Sequence, residues 1–226
     1  MDCWRPNAGR WNALLPPMRP RAEDVAFARS IVRPSDRVVL LGVTPEYAKL
    51  GHSLLAVDSS PAMIREVWPG DHAHHCAVLS DWRDFDMSGA DIILGDGVLT
   101  ATDVPEEVIA AVDRGLRNGV REAALRVFIR PEQQIQASAV GSGSDGETRL
   151  RFLMMLAGFM EGRVRLADSE RLHQALFQQA LNSTWSGSQV VLSFPTWSDM
   201  QRMLPAGVQL VRDPTCDLVG WLRWSR

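Results

Sequence analysis

Arg37-Val38-Val39-Leu40-Leu41-Gly42-Val43-Thr44-Pro45-Glu46, read together with Leu54-Leu55-Ala56-Val57-Asp58-Ser59-Ser60-Pro61-Ala62-Met63-Ile64, decides the fold. Each stretch begins as an unbroken apolar run of strand length, the pattern of a strand buried on both faces of a parallel sheet. The first run ends in glycine, which lets the backbone turn tightly and approach a ligand closely. The second ends in a carboxylate, then Ser60-Pro61, an N-cap followed by a residue pre-set for the first helical turn. A strand, a turn and a helix, repeated, make an α/β unit.

The same alternation continues on both sides. Residues 22–32 have helical spacing, with Val25, Ala28, Ile31 and Val32 on one face, and 44–50 read as a short helix. A weaker strand spans 76–79, a fourth 91–94 running into Gly95-Asp96-Gly97, and a fifth 123–129 stopped by Pro131. Asp103-Val104-Pro105-Glu106 has capping-box spacing and opens a helix to about residue 116. Gly141-Ser142-Gly143-Ser144-Asp145-Gly146 is a loop. Helices are expected at 147–161 and 168–181. The first is apolar nearly all round, so it is buried, roofs a pocket or forms a homodimer surface. Thr196-x-x-Asp199 caps another helix. Strands 208–212 and 217–224 follow, joined too closely for a parallel crossover and therefore antiparallel.

The chain has 226 residues, 46% hydrophobic and 23% charged, with a formal net charge of −3. That composition belongs to a folded globular chain and holds no apolar run long enough to span a membrane. One domain is expected over 1–226: an N-terminal arm (1–21), a core (22–130), a mainly helical insertion (131–195) and a closing segment (196–226). Cys3, Cys76 and Cys216 are odd in number and far apart, which gives no disulfide framework and points to a reducing cytoplasm. Lys49 is the one lysine and the other basic residues are arginine, spread evenly and outweighed by 27 acids, so no nucleic-acid footprint is present.

Three features fall at the carboxyl ends of expected strands, where ligands of open α/β sheets sit: the turn from Gly42 to Glu46, Asp58, and Gly95-Asp96-Gly97. Alone, Gly42 reads equally as a tight turn and Asp58 as a cap of the next helix. In order, and with Ser80-Asp81-Trp82 between them, they resemble a class I S-adenosylmethionine-dependent methyltransferase, best over 22–130. The most specific piece is Asp58-x-Ser60-x-x-Met63-Ile64.

The resemblance implies a Rossmann-like methyltransferase fold: a mostly parallel seven-stranded sheet with an antiparallel last strand, helices on both faces, and the insertion on the substrate side. It implies S-adenosyl-L-methionine as cofactor and a small-molecule acceptor. Asp58 would bind the ribose hydroxyls, with Ser59 and Met63 beside the adenosine; Asp81 would accept from the adenine amino group, with Trp82 beside the ring. Gly42, Val43 and Thr44 would line methionine and ribose, and Gly95 and Asp96 would lie near the reacting methyl. The chain departs from the family where an acid usually stands two positions before the first glycine: here that residue is Leu40. Glu46 is the candidate to hold the cofactor's ammonium group instead.

Methyl transfer from a sulfonium is an in-line displacement and needs a general base only if the acceptor must lose a proton. Asp96 and His173 are the candidates for that role. His72, His74, His75 and Cys76 crowd together, but neighbours on an extended segment face opposite ways, so no metal site is expected. Trp4, Trp11, Trp185 and Trp197 are placed to meet a substrate; Trp68, Trp221 and Trp224 belong to the core. A nicotinamide oxidoreductase is disfavoured because the turn after Gly42 lacks the later glycines of a dinucleotide fingerprint. Transfer of the cofactor's aminocarboxypropyl arm, its cyclisation, and a catalytically silent binding module remain open alternatives.

Overall fold

The computed structural model describes residues 2–141, 145–177 and 188–225, with the side chains of residue 170 and of residues 173–177 outside the description. An arm with a short helix α1 (Arg5–Ala8) leads to α2 (Ala22–Ile31), β1 (Arg37–Leu41), β2 (Ser53–Asp58), α3 (Pro61–Glu66), β3 (His75–Leu79), β4 (Ile92–Asp96), α4 (Pro105–Arg117) and β5 (Glu122–Phe128). The insertion holds α5 (Ala137–Val140), α6 (Asp145–Phe159), β6 (Arg163–Arg165), α7 (Leu166–Phe177) and β7 (Val191–Ser193). The chain closes with α8 (Trp197–Met203), β8 (Gln209–Arg212) and β9 (Val219–Ser225).

Seven strands form one sheet in the order β3-β2-β1-β4-β5-β9-β8. All pairs from β3 to β5 are parallel, and β9 runs antiparallel to both of its neighbours. This is the Rossmann-like methyltransferase fold expected from the sequence. The direction of winding reverses between β1 and β4, which opens a crevice beyond their carboxyl ends.

Period-two alternation sends side chains to two apolar layers. Val39, Leu41, Ile93, Ala123, Leu125 and Val127 pack with α4 residues such as Val108 and Val112. Val38, Leu40, Ile92, Leu94 and Ala124 pack on the other face with Ala28 and Ile31 of α2 and Ala62 and Met63 of α3. Fully burying one such aliphatic side chain is worth about 1.5–3 kcal/mol, so the two layers together hold the sheet between its helices. α3 starts as read, with the Ser60 hydroxyl accepting from the Met63 amide at 3.1 Å. α8 has the expected capping box between Thr196 and Asp199.

Several expectations need correction. Residues 44–50 hold only a single 3-10 turn, Pro45–Tyr47. The capping box at Asp103 does not form: Val104 is the N-cap of α4, without a side-chain bond, and its amide donates to Thr102 Oγ1 at 3.1 Å. The insertion contains a small antiparallel pair, β6 with β7, that was not anticipated. Of the alternatives for the apolar helix, α6 takes the buried one along most of its length. Phe152, Leu153, Met154 and Leu156 are buried with Val164, Leu192, Phe194, Leu218 and Val219 in a third cluster, which leaves Phe159 exposed at its end. Among the described residues no helix is long and apolar enough to cross a membrane.

Candidate functional site

Strand register puts the key residues in one row. Leu41 pairs with Val57 on one side and Gly95 on the other, so Gly42, Asp58 and Asp96 emerge together. Asp96 in turn pairs with Arg126 of β5. Above this row lies a cleft of about 440 Å³. Its walls include Gly42, Val43, Thr44, Asp58, Ser59, Met63, Asp81, Trp82 and Asp96, nine of the positions singled out in the sequence.

Gly42 leaves β1 with φ +88°, a conformation that disfavours side-chain-bearing residues, and its amide donates to Val57 O at 2.8 Å. A Cβ there would stand 3.9 Å from the Trp82 ring, so glycine is required by the backbone and not by crowding. Trp82 is pinned by its indole N–H on Val57 O at 2.6 Å. Asp58 is buried at the end of β2, and Oδ1 accepts from the Ser60 amide at 2.8 Å. Burial pushes its carboxyl up to about 7, against the pull of that amide. Asp81 is held by Arg83, at 2.9 Å on Oδ1 and 2.6 Å on Oδ2, and the contact keeps its carboxyl below the usual range.

Asp96 is not a free carboxylate. Its Oδ1 accepts from Arg126 Nη1 at 2.7 Å, and both side chains are buried. Arg126 is fully buried; its Nε lies 3.1 Å from Asp24 Oδ1 of α2, and its Nη2 donates to Pro17 O at 2.6 Å. Desolvation opposes the guanidinium charge, but Asp96 and Asp24 more than offset it and hold its pKa above the ordinary value. Burial dominates at Asp96 and carries its carboxyl up to about 6 despite Arg126.

Two expected cofactor positions lie outside the cleft walls. Glu46 is turned to the arm, where Oε1 takes Arg19 Nε at 2.8 Å and Nη2 at 2.5 Å. Gly95 faces the core: a Cβ would come within 2.9 Å of Leu125 Cδ2. His173 lies on α7, with its side chain outside the described residues, and Trp185 lies outside them altogether. Trp197 packs against the α4-side core. Trp68 is buried, its indole N–H on Asp71 Oδ1 at 2.9 Å. At the β3 edge His72 stacks on His75 and His52 on His74, and among the described residues no three His, Cys, Asp or Glu side chains converge as metal ligands.

The other wall of the cleft combines the arm and the insertion. Trp4, Trp11, Leu14 and Met18 come from the arm, and Leu166 and Val190 from the insertion. Asp2 staples the arm to the start of α3, accepting from the Ser60 hydroxyl at 2.8 Å and the Ala62 amide at 3.0 Å. Sequence reasoning missed Arg126, although a signal was present: it is the one charge inside an otherwise apolar strand run, and a buried charge must have a partner.

No protein-family model matches the chain, and no curated protein does. Solved structures do match in fold. One is a crystal structure of putative Zn-dependent alcohol dehydrogenases from Rhodobacter sphaeroides, 14% identical, with TM-score 0.68, covering 99% of this chain and 97% of that one. A DhpI–SAM–HEP complex is 15% identical with TM-score 0.58, covering 97% of this chain and 92% of that one. An S-adenosylmethionine-dependent methyltransferase from Mesorhizobium loti is 13% identical with TM-score 0.55, covering 91% and 98%. At these identities the likeness is one of fold.

Proposed function

We propose that the chain is an S-adenosylmethionine-dependent methyltransferase acting on a small, uncharged acceptor. The observation that carries this reading is Asp58. It is a buried carboxylate on the cleft wall with only Oδ1 committed, beside a glycine turn whose backbone leaves room for a ligand. A buried carboxylate with an uncommitted oxygen is favoured by hydroxyl donors, and a ribose supplies two. That the DhpI complex and the Mesorhizobium enzyme share the fold supports the choice of cofactor.

When bound, S-adenosylmethionine supplies an electrophilic methyl on a sulfonium sulfur. The residues of the chain bind, orient and exclude water. Asp58 accepts from the ribose, with Ser59 and Met63 flanking the nucleoside. Trp82 stands beside the adenine, and Asp81, fixed by Arg83, accepts from its amino group. Gly42, Val43 and Thr44 line the path from ribose to sulfur. Asp96, on the same wall, faces the amino-acid end of the cofactor, and its ion pair with Arg126 suits it to stabilise positive charge rather than to remove a proton.

The acceptor side of the cleft is largely apolar, with Trp11, Leu14, Met18, Phe128, Leu166 and Val190, and carries Thr100, Thr102, Asp103 and Gln189 among them. Arg83 is the cleft-lining cation among the described residues, and Asp81 and Glu107 already hold it. An anionic acceptor would find no counter-charge there, whereas a neutral, partly planar molecule would pack on the aromatic faces. Calorimetry with S-adenosylhomocysteine tests the cofactor reading: the wild type binds it and Asp58→Ala binds at least about tenfold more weakly, the loss of charge-assisted hydrogen bonds. Equal affinity in the two proteins, or no binding to either, refutes it. Product analysis with a panel of neutral aromatic acceptors then reads methyl transfer directly.

A further inference from the structure

Four of the chain's five histidines crowd one edge of the sheet, and none of the four lines the cleft. β3 is an outermost strand and pairs only with β2. The turn before it folds back along its open side. The His72 and His75 amides each donate to the other's carbonyl at 2.9 Å, and Asp71 Oδ1 accepts from the Ala77 amide at 3.0 Å. Ala73 sits in this turn at φ +47°, a conformation uncommon for alanine. Two ring pairs hold the turn closed. His72 stacks on His75 with centroids 5.3 Å apart and planes 17° off parallel, and His74 stacks on His52 at 5.2 Å and 27°. His72 Nδ1 also lies 3.1 Å from Gly70 O.

His75 is the weak point of this closure. Its Nε2 is buried with no hydrogen-bond partner among the described residues, so an imidazolium would put an unpaired, charged donor there. The titratable groups that act on it are the imidazoles of His72, His74 and His52. Asp71 is the carboxylate of the turn, and its Oδ1 is already taken by the Ala77 amide and by the Trp68 indole at 2.9 Å. α3, which packs against β3, carries Arg65 and Glu66, paired with each other at 2.7 Å. Lys49 is exposed on the loop before β2. Burial, and then His72, hold the His75 imidazole below its ordinary value, with the Leu50 backbone pulling the other way.

We propose that the His72–His75 stack is a pH-sensitive latch on β3. Protonation of His75 breaks the stack, the turn from Asp71 to His74 lifts off the edge, and β3 loosens. β3 runs directly into Ser80-Asp81-Trp82, and Asp81 and Trp82 wall the cleft. Acidity is thereby coupled to the order of that wall, whichever ligand the cleft takes. The sign is fixed by the direction of the shift. The open form takes up its proton near the ordinary 6.5 and the latched form only at lower pH, so the latch is fully closed above about 6.5 and is lost as pH falls below it.

Amide hydrogen exchange of the full chain, followed by NMR at pH 7 and 5.5 and corrected for intrinsic exchange rates, reads the opening. Protection at residues 76–79 should fall about three- to eightfold, the range for uptake of one proton, while protection in β1 holds. The Trp82 indole N–H, bonded to Val57 O, should lose protection in step. The His75 ring should titrate with a midpoint below 6.5. In His72→Phe, which keeps a ring in the stack without its charge, that midpoint should move upward. In His75→Phe the acid loss of β3 protection should vanish; if that variant does not fold, the wild type and His72→Phe still decide. Equal losses in β1 and β3, a Trp82 indole that stays protected, a His75 midpoint at or above 6.5 or unmoved in His72→Phe, or an acid loss that persists in His75→Phe overturns the latch.

Discussion

Arg126→Met removes the cation that Asp24 and Asp96 share in the buried Asp24–Arg126–Asp96 triad. In Arg126→Met the apolar layer on the α2 face stays filled, because Met has roughly the length of the arginine stem. What remains is Asp24 and Asp96, each with a side chain 3% exposed, without their shared partner. Breaking a buried ion pair from one side costs about 3–5 kcal/mol, since the other charge stays behind. For a chain of this size that corresponds to a fall in melting temperature of roughly 6–20 °C.

The sign of the pH dependence follows. Without Arg126 the Asp96 carboxyl rises further above its unfolded value of 3.8. A carboxyl raised in the folded state favours folding when protonated, so Arg126→Met should regain stability as pH falls from about 7 toward 4. Asp96→Asn added to Arg126→Met should restore much of the loss at pH 7. Urea unfolding at pH 7 and pH 5 reads all of this. A cost below about 1 kcal/mol, or a double variant no more stable than Arg126→Met alone, would refute the claim that the triad is a coupled buried charge network.

Other expectations follow from single residues. S-adenosylhomocysteine affinity of the wild type should rise with pH through about 7, because ribose donors favour the ionised form of Asp58; in Asp58→Asn calorimetry should find the part of the rise centred near 7 gone. Gly42→Ala forces a side chain to φ +88° and should cost about 1–2 kcal/mol in urea titrations, despite the free space beside Trp82. Thr196→Ala removes the cap on α8 and should cost about 1 kcal/mol, read the same way. Asp2→Ala unties the arm from α3, so limited proteolysis should cut within the arm faster and the KM for the acceptor should rise more than kcat falls.

The sheet was legible because its strands carry apolar runs bounded by glycine, proline and capping residues, signals local to the chain. Ser60 and Thr196 cap their helices as read because their partners lie three residues away. The three-residue pair β6 and β7 was hidden: Arg163-Val164-Arg165 offers one apolar side chain to a periodicity argument. The Asp103 motif failed because a spacing pattern does not say which residue leaves the helical conformation, and that residue is Val104. In the cleft, Gly42, Asp58 and Asp96 were readable from their place after strands. The fate of Glu46 was not, since it depends on Arg19, 27 residues away, nor was that of Asp96, which depends on Arg126, 30 residues on. Long-range ion pairs leave no spacing signature; a charge inside an apolar strand is the nearest substitute.

The account stands most directly on a crystal structure of the chain with S-adenosylhomocysteine. It predicts both ribose hydroxyls within about 2.6–3.2 Å of the Asp58 carboxylate, with the adenine beside Trp82. An adenosine lying elsewhere, with Asp58 in contact only with the Ser60 amide, would contradict it.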